Sequence, residues 1–105
     1  MDAVIQLLAV MAKLRDPVAG CPWDREQTYK SIVAHTIEEA YEVADAAERG
    51  SLSELKDELG DLLFQVVFLA RIAEERGEFD FGGCGRARTR TGNPCGLGRR
   101  AGAFA

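Results

Sequence analysis

A chain of 105 residues, 47% hydrophobic and 29% charged, has room for one small domain with a modest core. Its formal charge of −4 conceals an asymmetry, because residues 1–81 hold all 17 acidic groups while the last 24 residues hold five Arg and no acid. An acidic body disfavours nucleic acid as a partner, and no apolar run approaches the roughly 18–20 residues of a membrane span. The N-terminus shows no basic region ahead of an apolar one, so no secretory signal is expected. Cys21, Cys84 and Cys95 form no C-x-x-C pair, which predicts reduced thiols and a cytoplasmic location rather than a disulfide framework or a zinc site.

Val4, Leu7, Leu8, Met11 and Leu14 recur at helical spacing, predicting an amphipathic helix over residues 2–15 whose stripe is core. Pro17, Gly20 and Pro22 break that pattern into a loop. Asp24 and Gln27 have capping spacing, so a short helix is expected to begin at Asp24. An acidic helix follows over residues 31–49, with Ile32, Ile37, Ala40, Tyr41 and Val43 on its apolar side. Gly50 suits the left-handed position that ends a helix, and Ser51 with Glu54 has the spacing of a capping box. The next helix is predicted over residues 52–76, closed by Gly77. Its middle, residues 62–70, is apolar nearly all round and must be buried on more than one side. Two or three helices do not achieve that alone. The expected architecture is therefore all-α, with antiparallel helical hairpins forming a four-helix-type bundle as a homodimer or higher homo-oligomer.

After Phe81 the character changes. Residues 82–105 contain seven Gly, five Arg and four Ala, with Leu97 and Phe104 as the only large apolar side chains. Neither helical nor strand periodicity is present, so the expected division is a domain over residues 1–81 and a disordered tail over residues 82–105. Gly, Ala, Arg and Pro share GC-rich codons; an out-of-frame reading is one explanation of the tail and an authentic flexible basic segment the other.

The chemistry lies in Glu38-Glu39-Ala40-Tyr41-Glu42 and Glu58-Leu59-Gly60-Asp61. Positions three and four apart share a helix face, so Glu39 with Glu42 and Glu58 with Asp61 each form a carboxylate set. A hairpin closed at Gly50 turns the two sets toward each other. Converging carboxylates repel and raise one another's pKa, and a hard divalent cation resolves this, Mg²⁺ foremost because it binds few carboxylates together with substrate phosphates. Solvated outer faces are the plain alternative. The apolar neighbours Ile37, Ala40, Leu59, Leu62 and Leu63 weaken it, since the acids sit at an apolar margin twice with matched spacing.

These acids, together with Leu14-Arg15-Asp16-Pro17, Gly20-Cys21-Pro22-Trp23-Asp24, Glu26-Gln27-Thr28 and the run from Glu58 to Phe68, resemble the MazG family of all-α nucleoside triphosphate pyrophosphohydrolases. The resemblance covers about Val4 to Phe81. It implies Mg²⁺-dependent hydrolysis of a nucleoside triphosphate to the monophosphate and pyrophosphate, with Mn²⁺ as a possible substitute. Glu39, Glu42, Glu58 and Asp61 match the family's metal ligands. Glu38 points about 100° away from Glu39 and is either a further ligand or the catalytic group that orients the attacking water. Lys56 is a candidate phosphate contact or an exposed solubilising side chain; Trp23 stacks on a base or belongs to the core; His35 contacts substrate or is simply hydrogen-bonded. Cys21 has no base nearby in sequence and no nucleophilic role is assigned to it. The family's further helix, with a Lys and an Arg-Arg-His-Pro-His-Val-Phe run, has no counterpart after Phe81. A second reading follows from that absence: a non-catalytic helical dimer that binds metal or nucleotide without turnover.

Overall fold

A computed structural model describes residues 2–89. Within them lie five helices and no strand: α1 (Ala3–Leu14), α2 (Pro22–Arg25), α3 (Tyr29–Arg49), α4 (Leu52–Glu75) and α5 (Phe81–Thr89). The all-α expectation holds, and the helices pack mainly through the α3–α4 hairpin, with α1 and α5 each laid against α4.

The first helix starts where Asp2 accepts the Val4 N–H at 2.7 Å. Of its predicted stripe, Met11 is fully buried and Leu7 and Leu8 pack against the core. The chain then turns sharply. The Asp16 carboxylate accepts the N–H groups of Val18 and Ala19, both at 2.8 Å, and Cys21 N–H returns to the Leu14 carbonyl at 3.0 Å. Gly20 is required inside this turn, because a Cβ there would stand 2.4 Å from the Leu14 carbonyl oxygen and 2.5 Å from that of Asp16.

Three local expectations need correction. The short helix begins at Pro22, not at Asp24, because proline suits a first helical position whose N–H would be unpaired anyway. The capping box that starts α3 is Thr28–Ser31, with Thr28 Oγ1 accepting the Ser31 N–H at 3.3 Å and Ser31 Oγ accepting the Thr28 N–H at 2.8 Å. That places the helix start at Tyr29 rather than at residue 31. Finally, Ser51 is the N-cap of α4 but makes no side-chain cap bond, and Glu54 pairs with Arg49 instead.

The two predicted glycine stops are borne out. Gly50 and Gly77 both have φ +71°, and both close a helix with paired bonds to its last carbonyls. Ser51 N–H reaches Ala46 O and Gly50 N–H reaches Ala47 O, both at 3.2 Å; Glu78 N–H reaches Ala73 O at 2.9 Å and Gly77 N–H reaches Glu74 O at 3.0 Å.

The core gathers at the end of the hairpin remote from Gly50. Met11, Ile32, Val67, Phe68 and Ile72 are buried there, with Tyr29, Phe64, Leu69 and Phe81 packed around them. Nearer Gly50, among the described residues, only α3 and α4 remain, and Ile37, Tyr41, Leu59, Leu63 and Val66 stay exposed. In the apolar middle of α4, Val67, Phe68 and Ala70 are buried against the core while Leu63 and Val66 stay exposed among the described residues.

Residues 82–89 differ from the expectation of disorder, for they belong to α5. Its glycines are poor helix formers, so the support comes from outside the helix. Asp80 accepts the Gly83 N–H at 2.7 Å in an N-cap arrangement, Arg86 lies 3.5 Å from the Asp80 carboxylate, and Phe81 docks on the core. The remainder of the tail reading, residues 90–105, lies outside the described residues.

Gly20 and Gly50 make a quantitative contrast. Gly50→Ala meets no atom within 4 Å and carries only the left-handed backbone cost of about 1–2 kcal/mol. Gly20→Ala collides with backbone on three sides, so its urea midpoint is expected to fall further than that of Gly50→Ala, with m unchanged in both. Paired urea denaturation curves check this order.

Candidate functional site

Along the face of α3 that meets α4, Ile32, Thr36, Glu39, Val43 and Ala46 are buried or half-buried, a spacing of four and three residues in alternation. On α4 the corresponding positions are Leu55, Glu58, Leu62, Gln65, Leu69 and Ile72. This is the seam of an antiparallel helix pair, where apolar side chains are the rule. Glu39 and Glu58 break it, each half-buried at a seam position.

Asp61 stands one turn from Glu58 at the seam's exposed edge. One carboxylate oxygen from each of Glu39, Glu58 and Asp61 lies within 4.8 Å of the others. Oε2 of Glu39 is buried without a hydrogen-bond donor. Burial, first of all, holds the Glu39 carboxyl above its ordinary value; the charges of Asp61 and Glu58 follow, then a hydrogen bond to Glu58 that only a shared proton allows, then Glu38. Two like charges about 4 Å apart repel by about 4 kcal/mol at an effective dielectric near 20, less where water reaches them. A proton relieves the cluster at low pH and a hard cation relieves it at neutral pH. The donor set fits the latter, being all oxygen and closely spaced, with one Glu39 oxygen buried and without a donor.

The other residues singled out in the sequence fall in different places. Glu42 is exposed and outside the convergent trio, because its seam neighbour Val43 faces α4 instead. Glu38 is exposed beside Glu39 and contributes to its electrostatics. Lys56 is exposed on the first turns of α4. Trp23 and His35 come together, with ring centroids 5.6 Å apart at 76°. The Trp23 ring also stands edge-on to Phe68 at 6.5 Å, yet 51% of the residue remains exposed. His35 and Glu39 are one turn apart on α3, so this aromatic pair is about 6 Å along the helix axis from the carboxylates.

The MazG nucleotide pyrophosphohydrolase domain matches residues 27–86. The chain belongs to the MazG family. Among the relatives of this MazG chain, the nucleoside triphosphate pyrophosphohydrolase of Escherichia coli K12 is 56% identical over 81 residues, which is 77% of this chain and 31% of that protein. A Thermotoga maritima protein named nucleoside triphosphate pyrophosphohydrolase/pyrophosphatase MazG is 50% identical over 74 residues, 70% of this chain and 29% of its own. The Mycobacterium tuberculosis nucleoside triphosphate pyrophosphohydrolase is 46% identical over 80 residues, 76% of this chain and 24% of its own. The chain thus spans less than a third of the length of these curated relatives.

Two residues of this MazG chain escaped the reading of the sequence. Arg15, named in the sequence only as part of the Leu14-Arg15-Asp16-Pro17 run and given no role there, is 93% buried at its side chain. Gln65, four residues after Asp61 on the same seam, buries an oxygen without a donor. Nothing in the pattern of an apolar helix singles out such a glutamine.

The elevated Glu39 pKa has a signed consequence. The folded state holds this proton more tightly than the unfolded chain, so metal-free stability falls as pH rises from about the model-peptide value of 4.5 through the raised value. Thermal melts of metal-free protein between pH 4 and 8 are expected to show that decline, and Glu39→Gln is expected to flatten it.

Proposed function

We propose that this chain carries the hydrolytic centre of a nucleoside triphosphate pyrophosphohydrolase, acting with Mg²⁺ and with Mn²⁺ as a substitute. The observation that carries the reading is the trio Glu39, Glu58 and Asp61, converging at a helix seam in a chain of the MazG family. In the reaction a water oxygen bonds to phosphorus, the bridge between the α- and β-phosphates breaks, and pyrophosphate leaves from a nucleoside monophosphate. Mg²⁺ bound by the trio supplies charge neutralisation at the phosphate oxygens and a more acidic water. Glu39 and Glu58 are held by the hairpin seam and give the ion a fixed, partly dehydrated seat, while Asp61 faces the water side from which the triphosphate enters. Glu38, next to the trio and exposed, is assigned to orient the attacking water and accept its proton. Glu42 completes the acidic rim, and Lys56 meets the phosphate tail from α4. Trp23 and His35 form the wall for the base, one turn away from the phosphates.

The open apolar side of the hairpin supports a second part of the proposal, a homodimer or higher homo-oligomer. Tyr41 is 73% exposed, and Ile37, Leu59, Leu63 and Val66 are exposed with it among the described residues. Burying a large apolar side chain stabilises by roughly 1.5–3 kcal/mol, so pairing five such residues with a second copy outweighs leaving them in water. In this reading the acidic unit over residues 1–81 is the body of the folded domain, and α5 extends it to Thr89. A cytoplasmic setting accords with the free thiols of Cys21 and Cys84 and with described helices that are too short or too polar to cross a membrane.

Two experiments test the proposal. Glu39→Gln, Glu58→Gln and Asp61→Asn are each expected to weaken Mg²⁺ binding about tenfold or more, about 1.4 kcal/mol, while Glu42→Gln weakens it less. Calorimetric titration together with pyrophosphate release from a panel of nucleoside triphosphates decides the matter: Mg²⁺ affinity unchanged in all four variants sinks the site, and binding without release leaves the non-turnover reading. In light scattering at micromolar concentration the parent chain is expected to run as an oligomer and Leu63→Glu as a smaller species with helicity retained.

A further inference from the structure

Arg15 follows the last turn of α1, and all three of its guanidinium nitrogens are engaged. Nη1 donates to the carbonyls of Asp24 and Gln27, both at 2.8 Å, and to that of Arg25 at 3.3 Å. Nε and Nη2 donate to the Glu75 carboxylate at 3.1 and 2.5 Å. The guanidinium Cζ lies 5.6 Å from the Phe68 ring centroid, and the Phe68 and Trp23 rings in turn meet edge to face. Only 7% of the Arg15 side chain is exposed.

Four-residue α2 cannot hold its own shape, since a single helical turn is far below the length at which helices persist in water. Its last carbonyls and the link to α3 need donors from elsewhere, and Arg15 provides them. What this bracing holds in place is Trp23, the second residue of α2, whose ring stays half open beside His35. The carboxylate that anchors the other end of the guanidinium is on α4, the helix that carries Glu58 and Asp61. One side chain therefore connects the wall assigned to the base with the helix assigned to the phosphates.

We propose that Arg15, locked by Glu75, is a positioning residue that sets Trp23 at the distance from the carboxylate trio that a nucleoside triphosphate requires. The proposal rests on the assignment of Trp23 and His35 to the base and deepens it. Neither Arg15 nor Glu75 touches substrate. Lysine does not replace this arginine, because a point-charged ammonium cannot serve three carbonyls and a carboxylate in one plane.

Trp23 is the one tryptophan of the chain, so its emission reports its own setting. The test uses the 105-residue protein with Mg²⁺ and three non-hydrolysed or base-free probes: α,β-methylene-ATP, α,β-methylene-CTP and inorganic tripolyphosphate. For the analogue that binds wild type more tightly, Arg15→Lys is expected to lose about tenfold in affinity, with tripolyphosphate held within about twofold. Its Trp23 emission shifts to the red and becomes more open to acrylamide quenching. Trp23→Leu reproduces the same split between analogue and tripolyphosphate. Should Arg15→Lys lose helicity, Glu75→Gln carries the test, with the same split at about threefold because the carbonyl bonds remain. Equal losses for analogue and tripolyphosphate assign Arg15 to folding alone and overturn the proposal. A split in Trp23→Leu with wild-type behaviour in the clamp variant overturns it while sparing the base assignment. Wild-type affinity for the analogue in Trp23→Leu removes the base assignment and the proposal with it, and wild-type protein that binds no probe removes the proposed function as well.

Discussion

The connection Gly50–Ser51 is the constraint on which the site depends. Two residues between two long helices leave only an antiparallel return, and a left-handed glycine lets the chain reverse without a Cβ penalty. Glu39 and Asp61 each stand eleven residues from Gly50, one before it and one after, so the reversal brings them to the same height. Glu58, a turn nearer the connection, then faces the same space. A longer or floppier linker would let the register slip, and the three carboxylates would no longer converge.

The seam that carries these acids is a compromise between stability and chemistry. At the far end, Ile32, Phe68 and Ile72 fill it with apolar side chains and α1 closes over them. Toward Gly50, Glu39 and Glu58 occupy positions that packing would assign to leucine. Their partial dehydration raises the Glu39 pKa, and the same dehydration strengthens attraction to a cation by lowering the local dielectric. The apolar end supplies the rigidity that the acidic end lacks, and functional sites elsewhere depart from ideal patterning in the same way.

Around the rigid end the chain is tied by a few polar links rather than by more core. Tyr29 donates to Glu78 at 2.5 Å beneath the Arg76 guanidinium, joining the start of α3 to the segment after α4. Arg15 joins the α2 segment to Glu75, and Arg25 donates to the carbonyls of Pro17 and Val18, both at 3.1 Å. Of these side chains, Arg15 also satisfies the carbonyls of Asp24, Arg25 and Gln27, at and after the end of α2, and Arg25 satisfies carbonyls in the turn before it. A small domain uses such links because its apolar surface alone is modest.

Much of this was legible in the amino-acid sequence. Apolar spacing placed α1, α3 and α4 to within a few residues, and glycine at residues 50 and 77 marked both helix ends, because these signals are local and depend only on backbone geometry. The same geometry led to the expectation that Glu39 would face Glu58 and Asp61, but also to Glu42 beside them, which lies outside the trio. Other features were decided by tertiary contact. Whether Glu39 or Glu42 faced inward depended on which side of α3 met α4, and both carry apolar neighbours in sequence. The helix over Phe81–Thr89 forms despite three glycines because Phe81 docks on the core and Asp80 caps its start. Arg15 reads as one more charged residue after a helix until the fold brings three carbonyls and Glu75 around it, since a residue sixty positions away cannot be inferred from local pattern.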